Sequence, residues 1–293
     1  MATAPATPAI VIGKDTDVTA ISAADFGKLL PADLAKLSVS QTGDISAAQA
    51  ATLSDKSLAV LKQGSISSEV VNAIPLKSLA ALNLKLISAD QFNSLNAAQV
   101  AALTGEQLKA FTDAKWTAVN AESLAFLTLG AKGNFVTLDM KKLDASGSHG
   151  NFDKLSAAQI GSLSDVQIKA LSSSQANAIT AEQAAGFTPA QAPTFTTTFL
   201  GYLASNTVLD NITPATFAAI PAKVFAALQQ AVITNLSEDN VLAITAGQIG
   251  ALTSAKVGYL AANDSFASLP KAAFAGFTKA NISGLDLSVV TLV

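Results

Sequence analysis

The stretch from Leu155 to Phe195 constrains the fold of this chain more than any other. It reads LSAAQIGS, LSDVQIKA, LSSSQANA, ITAEQAAG and FTPAQAPT, five octads that each open on an apolar residue followed by Ser or Thr. Counting from that apolar residue, position 2 runs from Ser156 to Thr188, position 5 from Gln159 to Gln191, and position 6 from Ile160 to Ala192. A hydroxyl residue followed three places later by Gln is the signature of a capping box. The hydroxyl accepts the N3 amide, and the Gln side chain reaches back to the N-cap amide. Position 1 then falls at N′ and position 6 at N4, the two partners of a hydrophobic staple.

Each octad therefore predicts one helical turn and a bend into the next cap. A continuous helix is excluded, because eight residues advance about 800° and the apolar stripe drifts by about 80° per octad. Strand alternation fails as well, since the apolar spacings are five and three, not two. A single turn is not stable alone, so positions 1 and 6 have to be buried against neighbouring units. The expected fold class is all-α: a solenoid of short one-turn helices built from octapeptide repeats.

The register covers almost the whole chain. From Ile21 it runs through Leu29, Leu37, Ile45, Leu53 and Leu61, takes a five-residue step to Ile66, and after Leu82 another to Ile87. Regular steps then pass Leu95, Phe111, Leu127 and Phe135 to Leu143, all read as position 1. A twelve-residue step over DASGSHGN leads to Leu155, and nine-residue steps precede Ile212 and Leu269. The expected organisation is an extended N-terminal arm over 1–13, a first repeat arm over 14–143, a Gly/Ser loop over 144–154 and a second arm over 155–293. AIVIG near the start and SVVTLV at the end are apolar and β-branched, so short strands are expected at both termini.

Composition narrows the function. The chain is 50% hydrophobic and only 13% charged, with a net charge of −3, where ordinary soluble domains carry about 25% charged residues. Nucleic acid, which needs a basic stripe, is not an expected partner. With no cysteine there is neither a disulfide framework nor thiol chemistry. No run of 18 apolar residues predicts a transmembrane helix. MATAPATPAIVIG lacks the basic and long apolar regions of a cleavable export signal. Positions 3, 4, 7 and 8 are mostly small, which leaves a sparsely charged exterior suited to self-association.

Few residues suggest chemistry. His149, the one histidine, sits with Asp144, Ser146 and Ser148 in the Gly/Ser loop, too close in sequence for triad geometry, which is set in space. Asp144, Asn151 and Asp153 form a candidate calcium loop, although His149 and Leu155 stand where an EF-hand wants Gly and Glu. An ordinary Gly-rich connection is the competing reading. Asn211, Asn235, Asn263 and Asn281 match the glycosylation sequon, for which the repeat register accounts. Thr196 to Thr198 suggest a threonine ladder, but the octad places Thr as a cap. Trp116 and the phenylalanines at positions 1 and 6 read as core. No catalytic site and no cofactor other than calcium are expected.

A cysteine-free, Ala/Ser/Thr/Leu-rich, weakly acidic chain ending in SVVTLV resembles bacterial surface-layer and repeat-rich proteins exported by type I secretion. The resemblance implies an uncleaved C-terminal export signal and an extracellular location. The function expected is that of a structural protein assembling into a surface layer, filament or matrix, or of an adhesive stalk. The alternative is a solenoid binding module for a protein or glycan partner.

Overall fold

A computed structural model describes residues 10–130, 133–143, 145, 151–205 and 207–284. The chain is all-α, and among the described residues there is no strand. It divides into two compact units, Met1–Leu143 and Asp144–Val293.

The octad folds as its sequence dictates. In the helices Ala157–Gly161, Asp165–Ala170, Ser173–Asn177 and Ala181–Ala185, the position-2 hydroxyl accepts the N3 amide while the Gln oxygen accepts the N-cap amide. The same box opens the helices at Ala47–Ala50, Ala89–Asn93, Gly105–Ala110 and Ala246–Ala251, and Asn96 replaces the hydroxyl ahead of Ala97–Ala102. The fifth octad keeps only half of it. Gln191 Oε1 accepts the Thr188 amide at 2.9 Å, but the turn continues as a 3-10 helix over Ala192–Thr194. Pro193 there removes a donor that an α-helix needs. Positions 1 and 6 are buried along most of the repeat, as a staple requires.

Stacking follows a rule of three within each unit. Ala23–Phe26 packs on Ala47–Ala50, Ala157–Gly161 on Ala181–Ala185, and Ala222–Ala226 on Ala246–Ala251, each three octads apart. The bond that fixes this spacing comes from the free end of the capping Gln. Gln183 Nε2 donates to the carbonyls of Leu155 and Phe152, 28 and 31 residues earlier, at 2.9 and 3.0 Å. Gln49, Gln191 and Gln248 make the same pair of bonds at the same separations. Where a five-residue step intervenes the separations shrink to 25 and 28, as for Gln99 and Gln107. One bent glutamine thus satisfies a helix start and two bend carbonyls of the octads beneath it. These are the groups that a chain of very short helices leaves without intrahelical partners.

Lysine substitutes where the position is less enclosed. Lys115 Nζ donates to the carbonyls of Lys85 and Ile87, and Lys256 Nζ to those of Ala226 and Leu228. Asp25 and Asp33 hold the position in the first two octads. A carboxylate has no hydrogen to give a carbonyl, and these two instead pair with Lys28 and Lys36.

Three sequence expectations need correction. No strand forms over Ile10–Gly13, because the carbonyl of Gly13 is taken by Gln41 Nε2 rather than by a neighbouring strand. Ala9 and SVVTLV lie outside the described residues. Phe135 is a position-6 residue and Leu138 the next position 1. Asn134, not a residue eight places on, acts as the position-5 amide, accepting the Thr128 amide and donating to the carbonyls of Val100 and Leu103. The octad starting at Leu127 therefore carries an insertion, and a five-residue step to Leu143 restores the register. The segment 144–154 is not all loop, since Phe152–Lys154 is a 3-10 turn with Phe152 fully buried at position 6. The structure also accounts for the two nine-residue steps. Both follow helices that run straight through position 1, Thr197–Ser205 and Ser254–Ala261, the longest of the described chain.

Candidate functional site

Most polar side chains are consumed by the fold. Asn151 is buried at the position-5 site before Leu155, and Asp153 bridges to Lys154 at 2.9 Å. Asp144, Ser146, Ser148 and His149 lie outside the described residues. Among the described residues no three His, Asp or Glu side chains gather as a metal site would need. Asn263 and Asn281 are buried, each with its amide donating to carbonyls of earlier octads, so these two sequons are structural. Trp116 is fully buried against Phe111 and Phe92. Thr196 caps the helix Thr197–Ser205 by accepting the Phe199 amide at 3.1 Å, so the threonine run belongs to a helix start.

Electrostatic perturbation is slight. The Thr19 hydroxyl and amide hold the Asp17 carboxyl below its ordinary range, and Lys28 with Ser22 does the same for Asp25. Both groups are solvent-exposed and local in their bonding. Neither faces a cleft, so they offer no acid–base pair for catalysis.

A groove of about 680 Å³ lies in the second unit between the helix Thr197–Ser205 and the helix Gln230–Thr234. Its walls carry Thr198, Tyr202, Asp210, Gln229 and Asn235, with Gly201 and Val232 between them. The groove exists because the repeat fails there. Position 5 of the octad from Leu228 is Val232, where glutamine would ordinarily stand. The carbonyls such a glutamine would reach belong to Leu200 and Leu203. They are spent within or at the end of the long helix, the Leu203 carbonyl on the Val208 amide at 3.0 Å. Gln229, at the N-cap, makes no side-chain capping bond. Thr207, on the rim, has a φ of 59°, the one positive φ among the described non-glycine residues.

Asp210 is held from behind. Its Oδ1 accepts from Asn240 Nδ2 at 3.0 Å and from the amide of Ser237, the N-cap of the helix Glu238–Leu242, at 3.4 Å. Sequence reasoning missed this groove. Its one trace in the sequence is the coincidence of a nine-residue step with an apolar residue at position 5.

No protein-family model, curated protein or solved structure matches this chain.

Proposed function

We propose that this chain is a non-catalytic, extracellular structural protein, a solenoid that self-associates through an apolar face left by its last octads. The observation that carries the reading is at position 6. Phe217, Phe225, Ile233, Val241, Ile249 and Val257 are all fully buried, whereas Phe274 and Ile282, in the same register, are 52% and 42% exposed. The Phe274 ring also meets that of Phe277 in a tilted contact, centroids 5.6 Å apart, which makes the uncovered patch aromatic. Apolar surface of this kind gains roughly 25 cal/mol per Å² when a second molecule covers it. The polar chemistry of the octads, spent on caps and carbonyls, supports a scaffold rather than an enzyme. No described helix is long and apolar enough to cross a membrane. The extracellular placement rests on the compositional resemblance to exported surface proteins.

Electron microscopy and light scattering at increasing concentration test the proposal. Sheets or filaments are expected from the parent protein, and particles no larger than one chain from Phe274→Glu/Ile282→Glu. A parent protein that stays monomeric at millimolar concentration overturns self-association. Immunogold labelling of the producing cells tests the location, and an exclusively internal signal overturns it. The second reading, a binding module, is favoured by the groove.

A further inference from the structure

Gly201 is a glycine that packing does not require. It lies in the middle of the longest helix, where glycine is the poorest ordinary choice. Some other glycines are forced by packing: a Cβ on Gly186 would stand 2.3 Å from the Ala157 carbonyl oxygen, and one on Gly161 2.7 Å from that of Gly186, whereas Gly247 and Gly250 meet only ordinary contacts. A Cβ on Gly201 would meet nothing within 4 Å, and its φ is not in the left-handed region. The space it leaves open is the groove itself. Glycine at such a point admits close approach of a ligand to the backbone. Thr207, on the same rim, is β-branched and left-handed, a conformation held against its own preference, and such outliers gather at ligand sites.

The lining defines what fits. Hydroxyls of Thr198 and Tyr202, amides of Gln229 and Asn235 and the Asp210 carboxylate offer donors and acceptors side by side. Among the described residues no Lys, Arg or His lines the groove, so a phosphate or carboxylate would meet Asp210 without a counter-cation. The Tyr202 ring and Val232 supply apolar faces between the polar groups. The volume falls inside the roughly 300–1,000 Å³ range of small-molecule sites. A neutral sugar has the matching surface, with hydroxyls around its edge and an apolar C–H face. We infer that the groove between Thr197–Ser205 and Gln230–Thr234 binds a neutral glycan, with Tyr202 as the stacking platform and Asp210 as a fixed acceptor for a sugar hydroxyl. This site is independent of the self-association proposed above.

The test is saturation-transfer NMR and calorimetry on the full chain with four neutral disaccharides: cellobiose, maltose, lactose and N,N′-diacetylchitobiose. Glucose-1-phosphate and choline serve as charged comparators. Saturable binding of at least one disaccharide is expected, with a Kd of about 1 mM or tighter. Tyr202→Ala should weaken it about tenfold or more. Asp210→Asn, which keeps an oxygen for the Ser237 amide, should weaken it by a similar factor. Gly201→Leu is the decisive variant. It fills the groove from a position where a side chain meets no neighbour, so it should abolish binding while the melting temperature holds or rises. The inference is overturned if no disaccharide saturates by about 10 mM, if Gly201→Leu folds and binds as the parent does, or if a charged comparator binds more tightly than every neutral sugar.

Discussion

At the scale of the residue, the position-5 amide, usually glutamine, does what neither a carboxylate nor an ammonium can do in its place. It accepts through oxygen and donates through nitrogen on opposite sides of one planar group. Gln183 uses both sides while being almost wholly buried. Gln183→Ala should therefore lose about 2–4 kcal/mol, since two bend carbonyls and a cap amide lose partners. Gln183→Glu should lose more at pH 7, because it sets a carboxylate against two carbonyl oxygens. Burial and those oxygens raise the folded pKa of the introduced acid above its unfolded value. The extra deficit is accordingly absent at pH below the unfolded pKa and grows as pH rises through the folded one. Urea unfolding at pH 4 and pH 7 separates the two effects. The native carboxylates behave in the opposite sense. The folded pKa values of Asp17 and Asp25 are lowered below 3.8, so their stabilisation is present above that value and lost as pH falls through the folded pKa. Melting curves of the parent and Asp25→Asn should therefore diverge above pH 3.8 and converge in stronger acid. Half of the glutamine's role was legible in the sequence, because the cap partners are three residues apart. The other half was not, because carbonyls 28 and 31 residues away leave no mark on a linear pattern.

At the scale of the element, each turn is held by a cap, and the caps are not equal. Ser164 accepts the Gln167 amide and is itself read back by the Gln167 oxygen, whereas Thr112, at the N-cap of Asp113–Trp116, makes no side-chain capping bond. Ser164→Ala should cost about 1 kcal/mol and Thr112→Ala only a few tenths, measured by urea midpoints of otherwise identical chains. A similar contrast holds for glycine. Gly186→Ala drives a methyl into the Ala157 backbone and should destabilise by about 1–3 kcal/mol. Gly201→Ala meets open space and should stabilise by about 0.5–1 kcal/mol. Apolar spacing located most turns but misplaced one. Phe135 falls eight residues after Leu127, yet it is the next residue of the chain, after Asn134 has taken the amide role, that sits at position 6. An insertion followed by a five-residue step spans the same length as two regular octads, so spacing alone cannot distinguish them. The long helices were hidden for a related reason. Nothing at Leu203 or Leu260 marks that the chain continues through position 1 instead of bending there, apart from the longer step that follows.

At the scale of the molecule, the repeat solves its internal problem and creates an external one. Where octads stack, position-6 groups are covered, and octads with no neighbour stacked over them among the described residues leave these apolar groups exposed. Phe274 and Ile282 are those groups in the second unit. The surface around them offers little charge to hold a second molecule away, since the whole chain carries a net charge of only −3 and a pI near 5.1. If covering that face drives association, the response to solvent conditions is fixed in sign. Screening weakens the residual like-charge repulsion, and apolar contact does not depend on ion pairs. Assembly of the parent protein should therefore strengthen as salt rises from about 0.05 to 0.5 M, where the Debye length contracts to roughly 4 Å, and as pH falls from 8 toward 5.1. The Phe274→Glu/Ile282→Glu protein should show neither trend. Sedimentation velocity across this grid reads both, and assembly that weakens with salt would mean that ion pairs, not this apolar face, hold the molecules together.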